Sequence, residues 1–178
     1  MDYDRLVEEL AIKHRAKAAQ ACLMAAGPAA SEALRRGLLN DNPDVRVGCC
    51  VVLDHHLDEA ALPELMANLD HPEDKVRMWA LHALACDRCK EGACRPGEDD
   101  VIPTAMRMLA EDRSRRVRTM AVQMLGPAAP RRADVSAALE RARDTDSHPV
   151  VRKVAGWHAP GGPLYRRRGA AAGLTGSA

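Results

Sequence analysis

Asp41-Asn42-Pro43-Asp44-Val45-Arg46-Val47-Gly48-Cys49-Cys50-Val51-Val52-Leu53 opens on an Asp/Pro turn and runs into an apolar stripe. Aspartate accepts hydrogen bonds from the free N–H groups that begin a helix, and proline is tolerated in the first turn because its missing donor would be unpaired there. Counting from Arg46, Val45, Cys49 and Leu53 stand at −1, +3 and +7, which is one stripe of a helix with 3.6 residues per turn. The small side chain at +3 lets a neighbouring helix come close.

The same unit recurs along the chain. Arginines at Arg15, Arg46, Arg77, Arg118 and Arg152 are spaced by 31, 31, 41 and 34 residues. Val45, Val76, Val117 and Val151 precede four of them; His14 precedes the first. Ala18, Cys49, Ala80, Ala121 and Ala155 follow at +3, and Cys22, Leu53, Leu84, Leu125 and Ala159 at +7. A second apolar period lies before each, in Ala33-Leu34-Leu38, Leu62-Leu65-Met66-Leu69, Ile102-Met106-Leu109 and Val135-Ala138-Leu139. Turns such as Asp70-His71-Pro72-Glu73-Asp74 and Asp146-Ser147-His148-Pro149 join the two. The pattern predicts about five helix pairs, none able to bury its stripe alone, stacked as an all-α, right-handed α-solenoid over residues 1–160. The chain has 178 residues and no Phe, so its core must be thin and closely spaced.

An Asp-rich turn followed by Val-Arg-x-x-Ala-x-x-x-Leu resembles the short HEAT-like repeats of bacteria, including those of phycobilin lyases, over roughly residues 4–158. The resemblance implies that Arg46, Arg77, Arg118 and Arg152 pair with turn aspartates and are structural. After Ala159, Pro160-Gly161-Gly162-Pro163 predicts the end of the last helix; residues 161–178, with Arg166-Arg167-Arg168 and a Gly/Ala stretch, read as a flexible basic tail.

The long spacing of 41 reflects an insertion at about residues 85–97 that carries half of the six cysteines. With the helix before it, it reads His82-x3-Cys86-x2-Cys89-x4-Cys94: three thiols and an imidazole, the donor set of a tetrahedral structural zinc site. His82 and Cys86, four apart, share a helical face turned from the core stripe. His55 or His56, at the matching place one repeat earlier, is the alternative fourth ligand. Free thiols, a Cys86/Cys89 redox pair and an iron–sulfur site are the competing readings. Cys22, Cys49 and Cys50 read as small core residues.

Residues 1–100 hold 12 Lys+Arg against 19 Asp+Glu, and residues 101–178 hold 14 against 6. This asymmetry predicts an acidic partner for the C-terminal half, or head-to-tail self-association. No run approaches about 18 apolar residues, and the start lacks an apolar leader, so a cytoplasmic location is expected. Phosphate-loop and Gly-x-Ser-x-Gly motifs are missing. HEAT-like deoxyhypusine hydroxylases hold iron on His-Glu dipeptides, and no His here precedes Glu.

The leading expectation is a non-catalytic scaffold that binds another protein, with Trp79, Trp157, Arg115 and Arg116 as candidate partner-surface residues. Nucleic-acid binding through the basic C-terminal half is the alternative, by resemblance to HEAT-like DNA-repair glycosylases. A bilin-lyase-like enzyme subunit is the third, on resemblance of fold alone.

Overall fold

The computed structural model describes residues 1–55, 58–85 and 98–171, the side chains of 98–100 excepted. Eleven helices and no strand occur among the described residues: α1 (Tyr3–Glu9), α2 (Ala16–Ala26), α3 (Ser31–Gly37), α4 (Pro43–His55), α5 (Leu62–Asn68), α6 (Asp74–Ala85), α7 (Glu98–Glu111), α8 (Arg115–Leu125), α9 (Ala133–Thr145), α10 (Pro149–His158) and α11 (Pro163–Ala171). Single 3₁₀ turns, Gly27–Ala30 and Glu59–Ala61, lead into α3 and α5. The chain forms two compact units, Met1–Gly97 and Glu98–Ala178.

Each unit is built of stacked helix pairs, the architecture of an α-solenoid. In the first, α1/α2, α3/α4 and α5/α6 are the pairs, with α2 on α4 and α4 on α6. In the second, α7 packs on α8, α9 on α10, α8 on α10 and α7 on α9. The turns start helices by side-chain capping: Asp2 accepts from Arg5 N–H, Asp58 from Ala60, Ser114 from Arg116 and His148 from Val150.

The predicted stripe is the core in four repeats. Val45, Val76, Val117 and Val151 are fully buried, as are Cys49, Ala80, Ala121 and Ala155. Burying each valine contributes roughly 1.5 kcal/mol or more. The four arginines act alike: each donates to the carbonyl six residues earlier, at the end of the preceding helix. Arg46 reaches Asn40 O at 2.5 Å, Arg77 His71 O at 2.8 Å, Arg118 Asp112 O at 2.8 Å and Arg152 Asp146 O at 2.7 Å. Those carbonyls have no partner within their own helix, and a guanidinium supplies one.

The first repeat departs from the expected register. Ala18 and Cys22 are exposed, while Ala19 and Leu23 are buried, so its stripe lies one residue later. Arg15 precedes the first residue of α2 and binds Glu9 at 3.0 Å, instead of occupying the place of the other four. Cys22 is therefore a surface thiol, and only Cys49 and Cys50 of that trio are core residues.

Within the stretch read from composition as a tail, Pro163–Ala171 forms α11 against α10. Gly161 takes φ +80°, which reverses the chain, and Pro163 starts the new helix with the φ it already prefers. The remaining residues, 172–178, lie outside the described ones.

Candidate functional site

In the second unit, the two inner-pair helices α8 and α10 lie side by side and present an outward face. Counted from Arg118 and Arg152, this face is formed by positions −2, +1 and +5, which fall together on a helix surface. On α8 it carries Arg116, Thr119 and Gln123, flanked by Arg115 and Met120; on α10 it carries Val150, Lys153 and Trp157. Arg115, Arg116 and Lys153 are exposed, Met120 is half-buried, and Val150 and Trp157 keep 41% and 40% of their surface. That exposure is high for apolar side chains on a well-packed helix. Lys153 Nζ stands 5.5 Å over the Trp157 ring, a cation–π contact that fixes the indole on the surface.

The acids of this unit lie elsewhere. Helices α8, α10 and α11 contain no Asp or Glu. Three of the carboxylates on α9 and the following turn are matched to arginines: Asp134 by Arg132, Asp144 by Arg143 and Asp146 by Arg118. The Arg132 hydrogen bond holds the Asp134 carboxyl down at about 2. A pocket of about 330 Å³ opens between α7 and α9, lined by Met106, Leu109 and Ala138 with Arg141 and the Arg118–Asp146 pair.

The first unit presents the corresponding positions on α4 and α6 differently. Lys75 is bound to Asp44 at 2.7 Å, so the leading charge is neutralised. Trp79 is half-buried and stacks edge-on against His82, ring centres 5.3 Å apart. His82 Nε2 lies 3.3 Å from Oδ2 of Asp54, which is 3% exposed on α4. A ring nitrogen that faces a carboxylate is placed to donate to it. Nδ1 is buried and has no hydrogen-bond partner among the described residues.

Of the residues expected to bind metal, His82 and His55 are described and the rest are not. His55 is exposed at the end of α4. His56, Cys86, Cys89 and Cys94 lie outside the described residues. No group of three or more potential metal ligands occurs among the described residues. The sequence reading missed Asp54. It stands at +8, next to the core stripe, where a carboxylate in one repeat reads as solvated, and it is buried facing an imidazole of the next repeat.

Among the described residues no helix is long and apolar enough to cross a membrane. The family model for HEAT repeats matches residues 3–85. No curated protein matches the chain.

Proposed function

We propose that this chain, whose residues 3–85 match the family model for HEAT repeats, is a non-catalytic scaffold whose stacked helices hold another protein. HEAT repeats commonly serve protein–protein interaction, and an array of helix pairs offers a continuous surface for it. The observation that carries the reading is the exposed Trp157–Val150 pair on α10, since tryptophan is enriched among the residues that dominate interface energy. Affinity capture from extract of the native cell, using the untagged chain as competitor, tests it. A single protein should be retained by the wild type and lost with Trp157→Ala at unchanged melting temperature. Equal retention by both chains would count against this surface.

A structural zinc ion near the end of α6 is a second reading, supported by the geometry of His82. Zinc-bound imidazoles characteristically turn their other ring nitrogen to a carboxylate, and His82 Nε2 faces Asp54 Oδ2 at 3.3 Å while its buried Nδ1 has no hydrogen-bond partner among the described residues. Cys86, Cys89 and Cys94 supply the further donors by sequence spacing. Such a site would tie the insertion to the repeat before it, with binding energy on the order of 10 kcal/mol. Metal analysis under reducing conditions should give one zinc per chain, and Cys89→Ala should lower both zinc content and melting temperature. Far less than one zinc per chain would end the reading. Free thiols and a zinc–thiolate site both suit a reducing, cytoplasmic compartment.

A further inference from the structure

We propose that the α8/α10 face of the second unit docks an acidic, amphipathic protein segment, its carboxylates on Arg115, Arg116 and Lys153 and its apolar side chains on Met120, Val150 and Trp157. The proposal rests on the scaffold reading and names the chemistry of the partner.

Three observations select that occupant. Charge is segregated by helix: α8 and α10 carry cations and no carboxylate, while the second unit's acids sit on α7, α9 and the turns. Among the described residues no carboxylate lies within ion-pair distance of Arg115, Arg116 or Lys153, whereas Arg118, Arg132 and Arg143 each have one. The face thus holds unmatched positive charge that a complementary surface would neutralise, and such complementarity sets partner choice and association rate.

The second observation is the interleaving of charge with apolar surface. Val150, Lys153 and Trp157 follow one another at i, i+3 and i+7 along α10, so an apolar, a cationic and an aromatic side chain share one ridge. A partner must bring apolar and anionic groups at matching intervals, which an amphipathic acidic helix does. The third observation argues against single-stranded nucleic acid, whose bases stack on open aromatic faces. Trp157 is the one aromatic on α8 and α10, whereas a stacking platform for successive bases uses several.

Three fluorescein-labelled probes and the full-length chain test the proposal by anisotropy. They are a 16-residue helical peptide with Glu and Leu on opposite faces, a peptide of the same pattern with Lys for Glu, and a 20-base-pair DNA duplex. The Glu/Leu peptide should bind and the Lys/Leu peptide should not. Arg115→Glu/Arg116→Glu/Lys153→Glu should weaken binding at least about tenfold, with a reduced salt dependence. Trp157→Ala should weaken it by about tenfold with salt dependence unchanged. Both variants should keep the circular dichroism and melting temperature of the wild type, since all four side chains are exposed.

Tighter binding of duplex than of peptide, or full affinity in the charge-reversed chain, would overturn the proposal. If the Glu/Leu peptide fails to bind while Trp157→Ala still loses the captured protein, the acidic-segment chemistry falls and the scaffold reading stands. If the captured protein is kept by both variants, this face falls for both readings.

Discussion

Arg118 grips the carboxylate of Asp146 through two N–H···O bonds, Nε to Oδ2 at 2.7 Å and Nη2 to Oδ1 at 2.9 Å, and the two residues belong to successive repeats. The same guanidinium donates to Asp112 O, at the end of the helix before it. One side chain therefore closes its own repeat and fastens it to the next. The first unit does this with different chemistry: Arg46 donates to Leu39 O and Asn40 O and reaches Asn68, whose amide donates onward to Leu38 O at 2.9 Å. Asn68 is fully buried, and its amide also donates to Glu64 O at 2.8 Å.

The fork geometry leads to the first prediction. Arg118 and Asp146 keep only 11% and 7% of their side-chain exposure, so removing one partner leaves the other buried without its counter-charge. Arg118→Ala should cost about 3–5 kcal/mol in urea unfolding, and Arg118→Lys should recover little, because an ammonium cannot make both bonds. Arg143→Ala, which breaks the exposed pair with Asp144, should leave the urea midpoint within error of the wild type. Equal effects at the two positions would show that the repeat arginine is not structural.

Much of the fold was legible because it rests on local periodicity: Val45, Val76, Val117 and Val151 and their +3 partners are where the stripe puts them. The first repeat misled because Arg15 mimics the motif by its spacing alone. Without a preceding valine it had no claim to the register, and the apolar positions Ala19 and Leu23 were the better guide. Contacts between repeats were not legible. Asp54 with His82, and Asn68 with Arg46, are polar residues whose burial depends on a side chain some 22–28 positions away, and nothing in their own surroundings in sequence marks them.

Gly126 leads to the second prediction. A Cβ there would run into His158 Nδ1 and lie 2.6 Å from Arg168 Nη1, so the end of α8, the end of α10 and α11 meet where a side chain is excluded. Gly126→Ala should destabilise the chain by about 1–3 kcal/mol and raise amide exchange in α11. Gly169→Ala, in α11 with nothing within 4 Å of the added carbon, should instead stabilise by about 0.5–1 kcal/mol through helix propensity. A neutral Gly126→Ala would mean that α11 does not depend on this packing.

Thiol chemistry should separate the described cysteines. Burial pushes the Cys50 thiol up to about 12 and the Cys49 thiol well above its usual range, whereas Cys22 is exposed. Only thiolate reacts. Brief iodoacetamide treatment at pH 8 followed by peptide mapping should label Cys22 and leave Cys49 and Cys50 unmodified until urea is added. Early labelling of Cys49 would place α4 outside the core.

His158 sets the last prediction, a loss of stability in mild acid. It is 4% exposed, and burial, aided by the nearby Arg168 guanidinium, lowers its pKa from 6.5 to about 4. Arg168 Nη1 lies 2.6 Å from Nδ1, so the neutral ring accepts from Arg168 and a protonated ring would face a like charge instead. The unfolded chain takes up this proton near pH 6.5 and the folded chain only near pH 4. Between those values the unfolded state therefore binds more protons, and stability falls as pH falls, by up to about 3 kcal/mol in all. Below about pH 4 both states are protonated and this contribution levels off. His158→Asn keeps an acceptor for Arg168 without a titrating ring, so its urea midpoint should change less between pH 7 and pH 4 than that of the wild type. Taking the difference between the two profiles removes the carboxylates that titrate over the same range. Parallel profiles would show that His158 protonates as readily in the folded chain as in the unfolded one, and that Arg168 is held on α11 by other means.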